Sequence, residues 1–159
     1  MSERKVLAMS HASKAGPEAD LVPLLLSIAK STRALMGVKL AEHDFHNGQD
    51  ELLVALEKNT LVSVSDIAEQ LSVRPSTVSK MLDRVIAKGL AERIGNTTDA
   101  RKTMVQITPA GLEARSMLLK LRERIEADLR GSLTIDDEVA LQSLESLAAL
   151  LKQRLSRLR

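Results

Sequence analysis

Six residues between positions 64 and 81 constrain this chain more than any other feature: Ile67, Ala68, Leu71, Val73, Val78 and Met81. They suit two short helices that cross steeply about a tight turn, because such a crossing must bury small or branched apolar side chains at this spacing. Ala68 is small where the second helix passes over the first, Val73 fills the turn, and Val78 and Met81 anchor the second helix from below. Local signals agree. Ser63-Val64-Ser65-Asp66 is a capping box that opens a helix over 64–71. Ser72-Val73 makes the turn. Pro75 takes the first position of the second helix, where its missing N–H costs nothing, and Gly89 ends that helix after Lys88.

The apolar period then changes from helical to extended. Residues 90–94 and 103–107 read as two strands joined by a polar loop, a β-hairpin with a long tip. Upstream, 1–17 reads as a flexible arm ending at Gly16-Pro17. A helix over 19–42 follows, with Leu21, Leu24, Leu25, Ile28, Leu35 and Met36 on one face. Asn47 is the expected N-cap of a helix carrying Leu52, Leu53 and Leu56, and Leu61-Val62 a short extended piece. Downstream, Thr108-Pro109 starts a helix that reaches Leu129 and stops near Gly131. A second capping box, Thr134 to Asp137, opens the last one. There Leu141, Leu144, Ala148, Leu151, Leu155 and Leu158 recur at spacings of three and four, the seam of a coiled coil. The fold class is mainly α with a small β-hairpin wing: a winged helix-turn-helix between N- and C-terminal helices.

Composition narrows the possible functions. With 159 residues the chain is expected to form one domain, or a small domain with helical extensions. Having no cysteine, it has no disulfide framework, thiolate zinc site or thiol switch. A single phenylalanine and no tyrosine or tryptophan argue against single-strand binding by base stacking. No uninterrupted apolar run reaches the ~18 residues of a membrane span, and no secretory signal opens the chain, so a cytoplasmic protein with no membrane partner is expected. No nucleophile elbow, HExxH or glycine-rich phosphate loop is present, so no enzyme is expected. His43-Asp44-Phe45-His46 is the only cluster of metal-like residue types. It lacks a third histidine nearby and sits where histidine suits a helix C-terminus, so no metal or cofactor is expected.

Charge is uneven. From Arg74 to Lys102 seven bases (Arg74, Lys80, Arg84, Lys88, Arg93, Arg101, Lys102) face three acids, although the whole chain is only +2. A basic middle between near-neutral ends suits an anionic partner. On the second motif helix, Arg74, Ser76, Thr77, Ser79 and Lys80 lie in the first turns, with Arg84 one turn on. In helix-turn-helix docking these positions meet base edges and phosphates. Arg74 falls at the N-cap, where Ser, Thr or Asp would be more stabilising, so an Arg there suits a reach to a guanine edge or a phosphate. The hairpin tip carries Asp99, Arg101 and Lys102. A carboxylate two residues from Arg101 can orient it for a narrow, electronegative minor groove.

With these residues in view, the stretch 63–111 resembles the MarR family of bacterial transcriptional regulators. The segment VIAKGLAER (85–93), the wing DAR (99–101) followed by Lys102, and the closing ITPAG (107–111) carry the resemblance, which extends over about 19–158. It implies that Asp99 and Arg101 enter the minor groove and that Ser76, Thr77, Ser79 and Lys80 face the major groove. Ala100 stands where the family often has a second Arg, with Lys102 a possible substitute. It also implies a single domain over 18–159, in which 19–45 and 109–158 dimerise around a winged lobe at 47–108. Leu21, Leu24, Leu144, Leu151 and Leu155 would lie in the dimer seam. The expected partners are a palindromic double-stranded operator, a second copy of the chain and, as in many members, a small-molecule effector. Phe45 is the one side chain able to stack on such a ligand. The competing reading is a helical dimer whose winged lobe binds protein and not DNA.

Overall fold

The computed structural model describes residues 20–95, 103–133 and 137–158. The elements run α1 (Leu21–Ala41), α2 (Gln49–Ala55), β1 (Val62–Ser63), α3 (Val64–Gln70), α4 (Pro75–Ala87), β2 (Ala91–Gly95), β3 (Thr103–Ile107), α5 (Pro109–Ser132) and α6 (Asp137–Ser156). The expected arm at 1–17, the start of the second capping box and the wing residues Asp99, Arg101 and Lys102 lie outside the described residues.

The helix-turn-helix forms as its sequence dictates. Ser63 caps α3: its hydroxyl oxygen accepts the Asp66 N–H at 3.1 Å, and the hydroxyl donates to the Asp66 carboxylate at 2.7 Å. Ser72 takes a left-handed conformation (φ 56°) to turn the chain. Ile67, Ala68 and Val78 are buried, with Leu71, Val73 and Met81 packed around them. The core continues through Leu52, Leu53 and Leu56 of α2, Leu82 and Val85 of α4, Val105 and Ile107 of β3, and Leu118 and Leu121 of α5. Each such side chain contributes about 1.5–3 kcal/mol through its burial, enough to fix the lobe despite the near-absence of aromatics.

Several boundaries differ from expectation, for local reasons. Residues 62–63 form a third strand, so the hairpin is part of an antiparallel sheet ordered β1-β3-β2. Val62 pairs with Val105, and Ala91 with Ile107. Strand β2 starts one residue late because the Leu90 N–H still bonds the Val85 carbonyl of α4. Asn47 does not cap α2. Its side-chain amide donates to the Arg33 carbonyl, and Gly48 holds the cap position at φ 92°. The carboxylate of Asp50 accepts the Gly48 N–H instead. Helix α5 runs through Gly131 to Ser132, whose hydroxyl donates to the Asp128 carbonyl. Phe45 is buried in the core and is not available to stack on a ligand. Helix α1 spans 21 residues at a mean hydropathy of 1.4 over its most apolar stretch, so by length and composition it could cross a membrane. Lys30 and Arg33 interrupt every unbroken run, which is why counting runs missed it.

Helix α5 is pinned at both ends of its contact with the lobe. Asp50, almost fully buried, accepts from Arg122 at 2.7 Å. At the other end the Thr108 hydroxyl caps α5 by accepting the Gly111 N–H, and donates to the Gly89 carbonyl at 2.7 Å. The Thr108 N–H bonds the Leu90 carbonyl. Gly111 makes this junction possible, since a Cβ there would fall 1.9 Å from the Leu90 carbonyl oxygen and 2.7 Å from Ile107 Cγ1. Backbone at such a contact cannot yield cheaply. Gly111→Ala is therefore expected to lower stability by about 2–3 kcal/mol in urea unfolding. An unchanged midpoint would show that the junction is not tight.

Candidate nucleic-acid interface

Helix α4 is divided lengthwise. Val78, Leu82 and Val85 are buried, so the opposite face must meet solvent. That face carries Arg74, Ser76, Thr77, Lys80 and Arg84, all exposed. Ser79 sits at the edge of the face, half-buried, and its hydroxyl donates to the Pro75 carbonyl at 3.1 Å. It is the least available of the six residues picked out on this helix. Arg74 does occupy the N-cap, in extended conformation, and makes no side-chain capping bond. Pro75 has no N–H and the Thr77 and Val78 N–H groups bond the Arg74 carbonyl, so the first turn presents the Ser76 N–H beside a guanidinium, at the positive end of the helix dipole.

The charge of this face differs from a plain count of the sequence. Asp83, the one acid on α4, is bridged by Arg93 of β2 at 2.7 Å. Lys88, just past the helix, is held by Asp44 at 2.8 Å and lies over the Phe45 ring, 4.8 Å from its centroid. Its ammonium also donates to the Asp44 carbonyl. Lys88 beside Asp44, through a hydrogen bond and its charge, keeps that carboxyl below its ordinary value. The sign follows: the link is intact at neutral pH and is lost as pH falls through that lowered value. With Lys88 and Arg93 engaged, Arg74, Lys80 and Arg84 are the cations on or beside α4 that make no ion pair among the described residues. The Asp83–Arg93 and Asp44–Lys88 pairs escaped sequence reasoning because 10 and 44 residues separate the partners.

Strands β2 and β3 stay paired out to Gly95 and Thr103, and the tip between them, with Asp99, Arg101 and Lys102, lies outside the described residues. Among the described residues no group of three or more His, Asp or Glu is placed to hold a metal. A crevice of about 250 Å³ lies between the end of α1 and α5, lined by Lys39, His43, Leu121 and Arg124 among others.

A three-stranded sheet whose hairpin follows α3 and α4 defines a winged helix-turn-helix protein. The sequence model of the MarR family matches residues 47–103. The chain is 35% identical over 99 residues to the HTH-type transcriptional repressor MdtR of Bacillus subtilis (strain 168), a match covering 62% of this chain and 63% of that protein. It is 26% identical over 129 residues to the multiple antibiotic resistance protein MarR of Escherichia coli (strain K12), covering 79% of this chain and 90% of that one. A crystal structure of mutant MarR from E. coli complexed with operator DNA matches with a TM-score of 0.68 at 27% identity, covering 85% of this chain and 93% of that chain. Over these residues the chain is similar to the MarR family.

The poor cap at Arg74 has a measurable consequence. Arg74→Ser should raise stability by about 0.5–1 kcal/mol, because a serine hydroxyl can accept from a first-turn N–H. Urea unfolding would read this, and a loss of stability would mean that Arg74 has a structural role.

Proposed function

We propose that this chain is a cytoplasmic, homodimeric regulator of transcription, a repressor that binds palindromic double-stranded DNA and responds to a small molecule. The observation that carries the reading is the free face of α4: cations and hydroxyls at the helix N-terminus, with no apolar anchor of the kind a protein hot spot needs. The likeness to MarR solved with operator DNA supports it. In this reading Arg74, Ser76, Thr77 and Lys80 meet the major groove, Ser79 adds little, and Arg84 takes phosphate. Asp99, Arg101 and Lys102 form the wing that enters the minor groove.

The dimer rests on apolar surface that one subunit leaves open. On α1, Leu21, Leu24, Leu26 (67% exposed) and Val38 (63%) face solvent, as do Leu144, Leu151 and Leu155 on α6. Patches this extensive on a small chain mark an interface. The segments 19–45 and 109–158 then hold two lobes (47–108) in C2 symmetry, with 1–17 as an arm. That sets the two α4 helices about one helical turn of DNA apart, roughly 34 Å. This pairing also buries α1 in protein, which accounts for its apolarity without a membrane.

Three outcomes follow. A gel shift with random duplex at low salt should show binding that weakens about a thousandfold or more between 50 and 200 mM salt, because phosphate contacts release counterions. Binding to no duplex would favour the protein-interaction reading. Arg101→Ala should weaken duplex binding at fixed salt while leaving the unfolding midpoint unchanged, and an unaltered affinity would remove the wing from recognition. Leu151→Asp should shift sedimentation toward monomer, and a persistent dimer would move the seam elsewhere.

A further inference from the structure

We infer that Lys88 is a positioning residue: through Asp44 and Phe45 it straps the C-terminal end of α4 to the elbow between α1 and α2, and so sets the distance between paired recognition helices. The inference rests on the dimeric DNA-binding reading above.

Three contacts converge on this elbow. The Lys88 ammonium bonds both the carboxylate and the main-chain carbonyl of Asp44. It lies over the ring of Phe45, itself sunk in the core. Two turns earlier on the same side, Met81 of α4 presses on Gly48, where a Cβ would come within 2.7 Å of its sulfur. Asp44 is held at φ 61°, a left-handed conformation that a non-glycine residue adopts at a cost. That conformation turns its carbonyl and its carboxylate toward one ammonium. The elbow leads directly back into α1, the helix carrying the open apolar face.

The chemistry suits a fixed angle and not contact with DNA. An ammonium with a carboxylate, a carbonyl and an aromatic face around it has few free donors for a phosphate. Its side chain is only 29% exposed, whereas that of Asp44 is 90% exposed. Lys88 is thus a cation on the basic segment that belongs to the frame. A small rotation at the elbow is carried along α4, and two lobes related by symmetry double the change in helix separation.

The test uses the full chain and a palindrome selected from fragments of the source genome. The same palindrome with one base pair added or removed at its centre provides the comparison. Wild-type protein should prefer the native spacing. Lys88→Met keeps the aliphatic stem and should reduce that preference about fivefold, with random-duplex affinity and its salt slope unchanged. Lys88→Arg should restore most of the preference. Asp44→Asn, which tolerates the left-handed backbone, is a second variant should Lys88→Met fold poorly, and should shift the preference the same way. Unchanged spacing preference in both variants would overturn the inference, and a reduced salt slope would reassign Lys88 to phosphate contact. Failure of the wild-type protein to bind any duplex would instead remove the underlying function.

Discussion

The two-sidedness of α4 is the constraint from which the rest follows. Val78, Leu82 and Val85 are drawn into an aliphatic core, and no rotation of the helix can bury them without exposing Arg74, Thr77, Lys80 and Arg84. A helix so placed has one free face, and that face is cationic and hydroxylic. Everything around it holds the helix still. The crossing at Ala68 fixes its start, and the sheet lies against its end. The Asp83–Arg93 pair removes the only negative charge it would show.

Two sequence segments that carry the family resemblance prove to be halves of one junction. VIAKGLAER contains Gly89 and Leu90, whose carbonyls accept from Thr108. ITPAG contains that Thr108, and Gly111, whose missing Cβ leaves room for the Leu90 carbonyl. Helices α4 and α5 are therefore joined through backbone contacts at one end. The buried Asp50–Arg122 pair joins α5 to α2 further along.

Much of this was legible in the residues. The capping box at Ser63, Pro75 at the first position of α4 and the turn at Ser72 are local signals, and local chemistry decides them. The third strand was not legible, because two residues, Val62 and Ser63, pair with a strand some 40 positions on. The cap of α2 went to Gly48 because a carbonyl of α1 claimed the Asn47 amide. Phe45 and Lys88 follow the same rule. A lone aromatic looks like a ligand platform, and Lys88 counts as one more base in the basic middle, until the fold places one over the other. In the candidate site, the exposed face of α4 could be read from helical periodicity, whereas which of its charges were already paired could not.

The central claim is that α4 lies in the major groove of duplex DNA. Methylation protection at guanine N7, which opens into that groove, tests it directly on the genome-selected duplex. The account predicts two protected patches about one helical turn apart, on the same face of the duplex. Bound protein that leaves every guanine N7 as reactive as in free DNA would contradict it.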